Sequence, residues 1–125
     1  MNAGTFDIYV DKQSEFYVEF EYVDSNDIPI EITDLVSFEV RRSSVVNKNL
    51  FSVYSDGSVS EDDEFYSETN YNIGNIIINN NVVKVTIYTD TISRIYPNQY
   101  FYYLKIHSTD DTKTLLKGKF VTDTP

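Results

Sequence analysis

The chain has 125 residues, no cysteine, a single histidine and a net charge of −10 from twenty Asp or Glu against ten Lys or Arg. This length suits one domain, residues 1–125, burying roughly two thirds of its unfolded surface and folding without staples. Absent cysteine excludes disulfides and thiol chemistry and removes the strongest zinc ligands, while strong acidity argues against nucleic acid, whose phosphates are neutralised by Lys and Arg.

The opening MNAGTFDIYV has no basic run followed by an apolar core, so no secretory signal is expected. No apolar run approaches the ~20 residues of a membrane helix, so no membrane is expected either. Residues 5–10 predict a first strand with Phe6, Ile8 and Val10 on one side, turned by Lys12 and Gln13. Residues 14–23 predict a long strand in which Phe16, Val18, Phe20 and Tyr22 alternate with Tyr17, Glu19, Glu21 and Val23. That two-residue period gives one buried and one wetter face. Asp24, Ser25, Asn26 and Asp27 predict a tight turn, and Pro29 an extended exit at a sheet edge. The stretch 7–33 organises the rest of the chain.

Residues 35–41 predict a third strand with Val36, Phe38 and Val40 inward; residues 43–49 read as a loop and 50–54 as a short strand. From about 55 to 74 the chain is rich in Ser, Asp, Glu and Asn and broken by Gly57, which predicts an acidic loop excursion. NIIIN (75–79) and VVKVTIYT (82–89) flank Asn80 and Asn81, the pattern of a hairpin. Asp90 is expected to cap one helical turn over 90–95, ended by Pro97. Residues 99–107 predict a strand with Tyr100, Tyr102, Leu104 and Ile106 on one face and Phe101, Tyr103, Lys105 and His107 on the other. A turn at 109–112 leads into a last strand, 113–122, with Leu116, Gly118 and Phe120 inward. Eleven Tyr and eight Phe favour pleated surfaces. Seven or eight short strands without a strong helix predict an all-β, antiparallel two-sheet sandwich.

The charge is lopsided. Residues 1–68 hold sixteen Asp or Glu against four Lys or Arg, net −12, and residues 69–125 hold four against six, net +2. The asymmetry reads either as a solvated face or as a device that orients neighbouring copies in an assembly.

The segments D-I-Y-V-D (7–11), S-E-F (14–16), D-S-N-D-I-P-I-E-I-T (24–33), the strand ending in Val40 and Arg41, Y-F-Y-Y-L-K-I (100–106) and L-L-K-G-K-F-V (115–121) carry a resemblance. Together they resemble small immunoglobulin-like β-sandwich virion proteins of tailed bacteriophages, including the N-terminal domain of phage baseplate upper proteins. The resemblance covers most of the chain apart from residues 43–72. It departs at Asp27, Asp34 and Asn98, where the family pattern has glycine. It implies an immunoglobulin-like fold and a non-enzymatic structural protein of the virion, made in the host cytoplasm. The expected role is a tail, baseplate or neck component that mediates assembly or attachment of other virion proteins. Its expected partners are those proteins and further copies of the chain. A head decoration protein and a glycan-binding adhesion module are the alternatives.

Chemistry-bearing motifs are sparse. His107 stands late on an aromatic strand, and neither a G-x-S-x-G elbow nor a phosphate-binding G-x-x-x-x-G-K-[ST] loop occurs. Glu19 and Glu21 share one strand face, but a glycosidase needs an opposing carboxylate about 5 to 9 Å away. Glu61, Asp62, Asp63 and Glu64 have oxygen ligands suited to Ca²⁺ without EF-hand spacing, and Asp24, Asn26 and Asp27 form a similarly generic cluster. Neither catalytic residues nor a metal or cofactor is expected. The expected partner contacts are Glu61, Asp62, Asp63, Glu64, Phe65, Tyr66 and Tyr71. The aromatics Tyr17 with Tyr22 and Tyr100 to Tyr103 suit subunit contact or, less directly, stacking on sugar rings.

Overall fold

The structure, a computed structural model, describes residues 4–10, 15–42, 49–61, 73–94, 99–109 and 111–122, with backbone alone at Ser60, Glu61, Asp90, Ser93 and Arg94. In chain order the elements are β1 (Gly4–Thr5), β2 (Ile8–Val10), β3 (Phe16–Glu21), β4 (Leu35–Arg41), β5 (Asn49–Tyr54), β6 (Val59–Glu61), β7 (Gly74–Asn79), β8 (Val82–Ile87), α1 (Thr89–Arg94), β9 (Gln99–His107) and β10 (Thr112–Thr122). The larger sheet runs β1-β10-β9-β4-β5-β6 with β2 also on β10, and the smaller sheet runs β3-β8-β7. In the immunoglobulin layout one sheet holds strands A, B, E and D and the other C, F and G, extended by C′ and C″. Here β3, β8 and β7 take the B, E and D places, and β10, β9, β4, β5 and β6 take G, F, C, C′ and C″. The two N-terminal strands run parallel to β10 on the larger sheet. The A place beside β3 therefore holds no described strand.

The predicted inward sets form the interface between the sheets. Val36, Phe38 and Val40 of β4, Phe51 and Val53 of β5, and Tyr102 and Leu104 of β9 are fully or almost fully buried. They meet Val83, Val85 and Ile87 of β8 in one hydrophobic cluster. Antibody domains pin the sheets with a disulfide against a tryptophan; this chain has neither residue. The centre is aromatic instead. Phe16 of the smaller sheet lies edge-on to Phe120 at 5.6 Å and 6.1 Å from Phe38, which stacks on Tyr102 at 5.3 Å. Such ring pairs add about 0.5–1.5 kcal/mol each beyond the area they bury.

Several expectations need correction. The predicted first strand is two pieces, because Asp7 bends away from the ladder to accept the Lys119 N–H at 3.0 Å, and Phe6 faces solvent rather than joining Ile8 and Val10. Ten strand segments are described, nine if these two pieces are taken as one, against the seven or eight predicted, and the N-terminal pairing is parallel. The excursion begins later than expected. A turn with Gly57 at φ 93° leads into β6, which pairs with β5, so Val59–Glu61 extends the sheet. At its other end Ile73 is buried and Gly74 opens β7. The helix starts one residue earlier than predicted. The Tyr88 carbonyl accepts from Thr91 and Ile92, so Asp90 lies inside the helix instead of capping it. The Asn80 and Asn81 hairpin forms as predicted, with Asn80 at φ 58°. The turn at Lys12 and Gln13, the loop 43–48, Pro97, Asn98 and Asp110 lie outside the described residues.

Candidate functional site: an apolar cleft beside a free sheet edge

The Tyr22 N–H donates to the Asn81 carbonyl at 2.8 Å, which fixes the phase of the antiparallel ladder between β3 and β8. Hydrogen-bonded and non-hydrogen-bonded pairs alternate in such a ladder. Phe20, Val18 and Phe16 are therefore the residues bonded to β8, opposite Val83, Val85 and Ile87. The peptide groups of Tyr17, Glu19 and Glu21 point the other way, and among the described residues no strand pairs with them. That leaves a row of three N–H donors and three C=O acceptors with no strand partner among the described residues.

A cleft of about 380 Å³ lies beside this edge, between β3 and the β1–β10 side of the larger sheet. Its walls include Phe20, Tyr22, Val83, Leu104, Leu115 and Leu116, with Glu19 and Glu21 also in its lining. It continues past Val18, Gly4 and Phe6, a residue 55% exposed. The leucine pair follows from a local irregularity. The register of β10 against β9 shifts between Thr114 and Leu116, and both Leu115 and Leu116 end half-buried in the cleft wall. The lining is mostly apolar, the scale is that of ligand clefts at about 300–1,000 Å³, and one bank presents backbone groups in extended spacing. Such an arrangement suits an extended chain.

Gly118 holds the opposite bank in place. A Cβ on it would stand 2.1 Å from the Phe6 carbonyl oxygen. That oxygen accepts from the Tyr102 hydroxyl at 2.5 Å, and the Phe6 N–H donates to the Lys117 carbonyl at 3.0 Å. Burial, and then the negative charge of Asp7, push the Tyr102 hydroxyl pKa well above its ordinary value, so the hydroxyl stays a donor.

The other polar constellation lies on the outer face of the larger sheet. Glu39 is only 5% exposed although alternation places it outward. Its Oε1 lies 3.1 Å from both Arg41 and Lys105, and its Oε2 accepts from the Ser37 hydroxyl at 3.2 Å. Burial pushes the carboxyl pKa up, but the hydrogen bonds and charges of Lys105 and Arg41 outweigh it and hold Glu39 below its usual value. Arg41 also bonds Asn49 at 2.9 Å and lies 4.5 Å from the centre of the Tyr103 ring.

His107 joins this network through Nε2, 2.7 Å from the Ser37 hydroxyl oxygen, while its Nδ1 faces the Thr112 hydroxyl at 3.3 Å. A nucleophilic serine needs a base oriented by a third group and access for substrate. Here Ser37 is fully buried, its hydrogen is directed to Glu39, and the carboxylate approaches serine rather than the imidazole. The network locks β4 to β9.

The remaining predicted residues scatter. Glu19 and Glu21 are exposed on β3, and among the described residues no further carboxylate lines the cleft beside them. Asp24 Oδ1 accepts the N–H groups of Asn26 and Ile28, which occupies that oxygen with the turn. Among the described residues no group of three or more His, Asp or Glu side chains is placed to hold a metal ion. The aromatic cluster is divided: Tyr100 and Tyr102 are core, Arg41 lies over Tyr103, and Tyr17 and Tyr22 occupy opposite faces of the smaller sheet. Glu61 pairs through its backbone with Phe51, whereas Asp62, Asp63, Glu64, Phe65, Tyr66 and Tyr71 lie outside the described residues. Sequence reading missed the cleft and the free edge; the only local signal is a pair of glutamates on a strand that otherwise reads as well packed. No protein-family model matches the chain, and no curated protein matches its sequence.

Proposed function

We propose that this chain is a non-enzymatic structural protein of a tailed-phage virion, a tail, baseplate or neck component that attaches or assembles other virion proteins. The observation that carries the reading is the edge of β3, unpaired among the described residues, with the largely apolar cleft beside it. A sheet edge without a partner is a template for another chain, and strand addition supplies affinity through main-chain bonds and specificity through side-chain pockets. The virion setting comes from the resemblance carried by residues 7–11, 14–16, 24–33, the strand ending in Val40 and Arg41, 100–106 and 115–121. The immunoglobulin-like strand order agrees with the fold which that resemblance implies. A stable seat on neighbouring proteins buries about 1,200 to 2,000 Å² in total, so the cleft is the centre of the contact and the surrounding surface its rim. Exposed Tyr9 and Tyr17, rings with a polar tip, suit such a rim.

Mass spectrometry of purified particles from the source, with peptide stoichiometry against the major capsid and tail proteins, tests the proposal. The expected result is copies in multiples of three or six. Absence from particles together with presence in infected-cell lysate overturns it.

A further inference from the structure

We infer that the strand position beside β3, which no described residue of the chain fills, receives, in trans, an extended segment of a partner protein whose side chains alternate between apolar and basic. The inference rests on the assembly reading above and adds the partner's chemistry. The outward peptide groups of Tyr17, Glu19 and Glu21 fix the backbone of the occupant, since only an extended strand meets donors and acceptors at two-residue spacing. Side chains of the added strand that lie next to Val18 and Phe20 point with them into the cleft, onto Leu115 and Leu116, and are therefore apolar. Those next to Glu19 and Glu21 stay on the outer face beside two carboxylates, the first of which has Lys84 of β8 on its other side.

The charges on that outer face choose the partner. Glu19 accepts a hydrogen bond from the Tyr17 hydroxyl, and neither Glu19 nor Glu21 makes an ion pair among the described residues. An opposite charge directly across a strand pair is favourable and a like charge unfavourable. Glu21 has only Val82 across from it on β8, whereas Glu19 already faces Lys84 there, so Lys or Arg on the incoming strand is favoured most strongly opposite Glu21. A second copy docking through its own β3 does not: full-length antiparallel pairing of two identical edges sets Glu19 against Glu19 or against Glu21. The larger sheet's own basic strand β10, with Lys117 and Lys119, is flanked over 116–122 by β9 on one side and by β1 and β2 on the other, so that stretch is not free to serve in trans. The net charge of −10 favours a basic partner in the same sense.

The test uses the full chain and a labelled synthetic nonapeptide of alternating lysine and valine or leucine, followed by fluorescence polarisation and by amide chemical shifts. Saturable binding is expected, with the largest shifts at the amides of Tyr17, Glu19 and Glu21. N-methylating the peptide at the alternate positions that face β3 abolishes binding, and N-methylating the other set leaves it within about twofold. The double substitution Glu19→Lys with Glu21→Lys, both at exposed positions, weakens binding about tenfold or more. Exchanging lysine for glutamate in the peptide does the same. No saturable binding overturns the inference, as does equal binding by the two N-methylated series, which would mean charge attraction without strand addition. Equal binding by the acidic peptide overturns the charge argument. Particles that contain the chain while the peptide fails would leave the assembly reading standing and remove this site; the converse would keep the site and remove the virion setting.

Discussion

Replacing Glu39 by glutamine keeps the shape of the side chain and removes the charge that Arg41 and Lys105 share at 3.1 Å. Removing one partner of a fully buried ion pair costs about 3–5 kcal/mol, because the other charge is left without compensation. Arg41 and Lys105 retain 12% and 18% of their side-chain exposure and can turn partly to water, so the expected loss at pH 7 is about 2 kcal/mol. With an unfolding entropy of about 2.1 cal/mol/K per residue, that loss lowers Tm by about 8 °C. The sign of the pH dependence follows from the depressed carboxyl. Its contribution is present above the ordinary carboxyl value of 4.5 and is lost as pH falls through the lower value of the folded state. Protonated glutamate resembles glutamine, so the gap between Glu39→Gln and the parent closes once pH has fallen below the depressed folded-state value. Urea unfolding followed by far-ultraviolet circular dichroism across this range measures both limbs. An undiminished gap at low pH would refute the electrostatic reasoning, as would no loss at neutral pH.

Other substitutions test the elements that shape the cleft. Gly118→Ala puts a Cβ against the Phe6 carbonyl and displaces the N-terminal segment. Urea denaturation is expected to register a loss of about 2–4 kcal/mol, with faster amide exchange at Ile8 and Val10; a loss under about 0.5 kcal/mol would count against the close approach. Tyr102→Phe removes the donor to Phe6 and costs about 1–2 kcal/mol at pH 7. Because the folded-state pKa of Tyr102 lies above 10.0, its contribution is present below pH 10 and declines as pH rises further. The alkaline limb of the stability profile is therefore shallower in Tyr102→Phe. Asp27 adopts φ 62° at a position where the resembled family pattern has glycine. Asp27→Gly relieves a strain of about 1–2 kcal/mol against a glycine entropy cost of about 0.5–1 kcal/mol, so a small gain in Tm is expected.

Alternation made β3, β4 and β9 legible because each buries one face along its length, and Asn80 and Asn81 marked a turn that needs left-handed backbone. What alternation does not carry is position within a sheet. Glu39 and Ser37 occupy outward positions, yet they lie on a central strand where Arg41, Lys105 and His107 close over them. Val59–Glu61 was hidden in a polar run because three residues show no period, and its strand exists through pairing with β5. The parallel seat of the N-terminal strands depends on Gly118, which sequence marks only as a small residue. The free edge was least legible of all. Whether β3 has one neighbour or two depends on where a segment far from its centre goes, and here residues 4–10 join the larger sheet.

Hydrogen exchange at the backbone amides of β3 in the isolated chain tests the open edge most directly. The account predicts a two-residue period, with Val18 and Phe20 protected by the ladder to β8 and Tyr17, Glu19 and Glu21 exchanging at rates close to those of an unstructured chain. Uniform protection of all five amides would contradict it, because it would mean that the A position is already filled and no partner strand can enter.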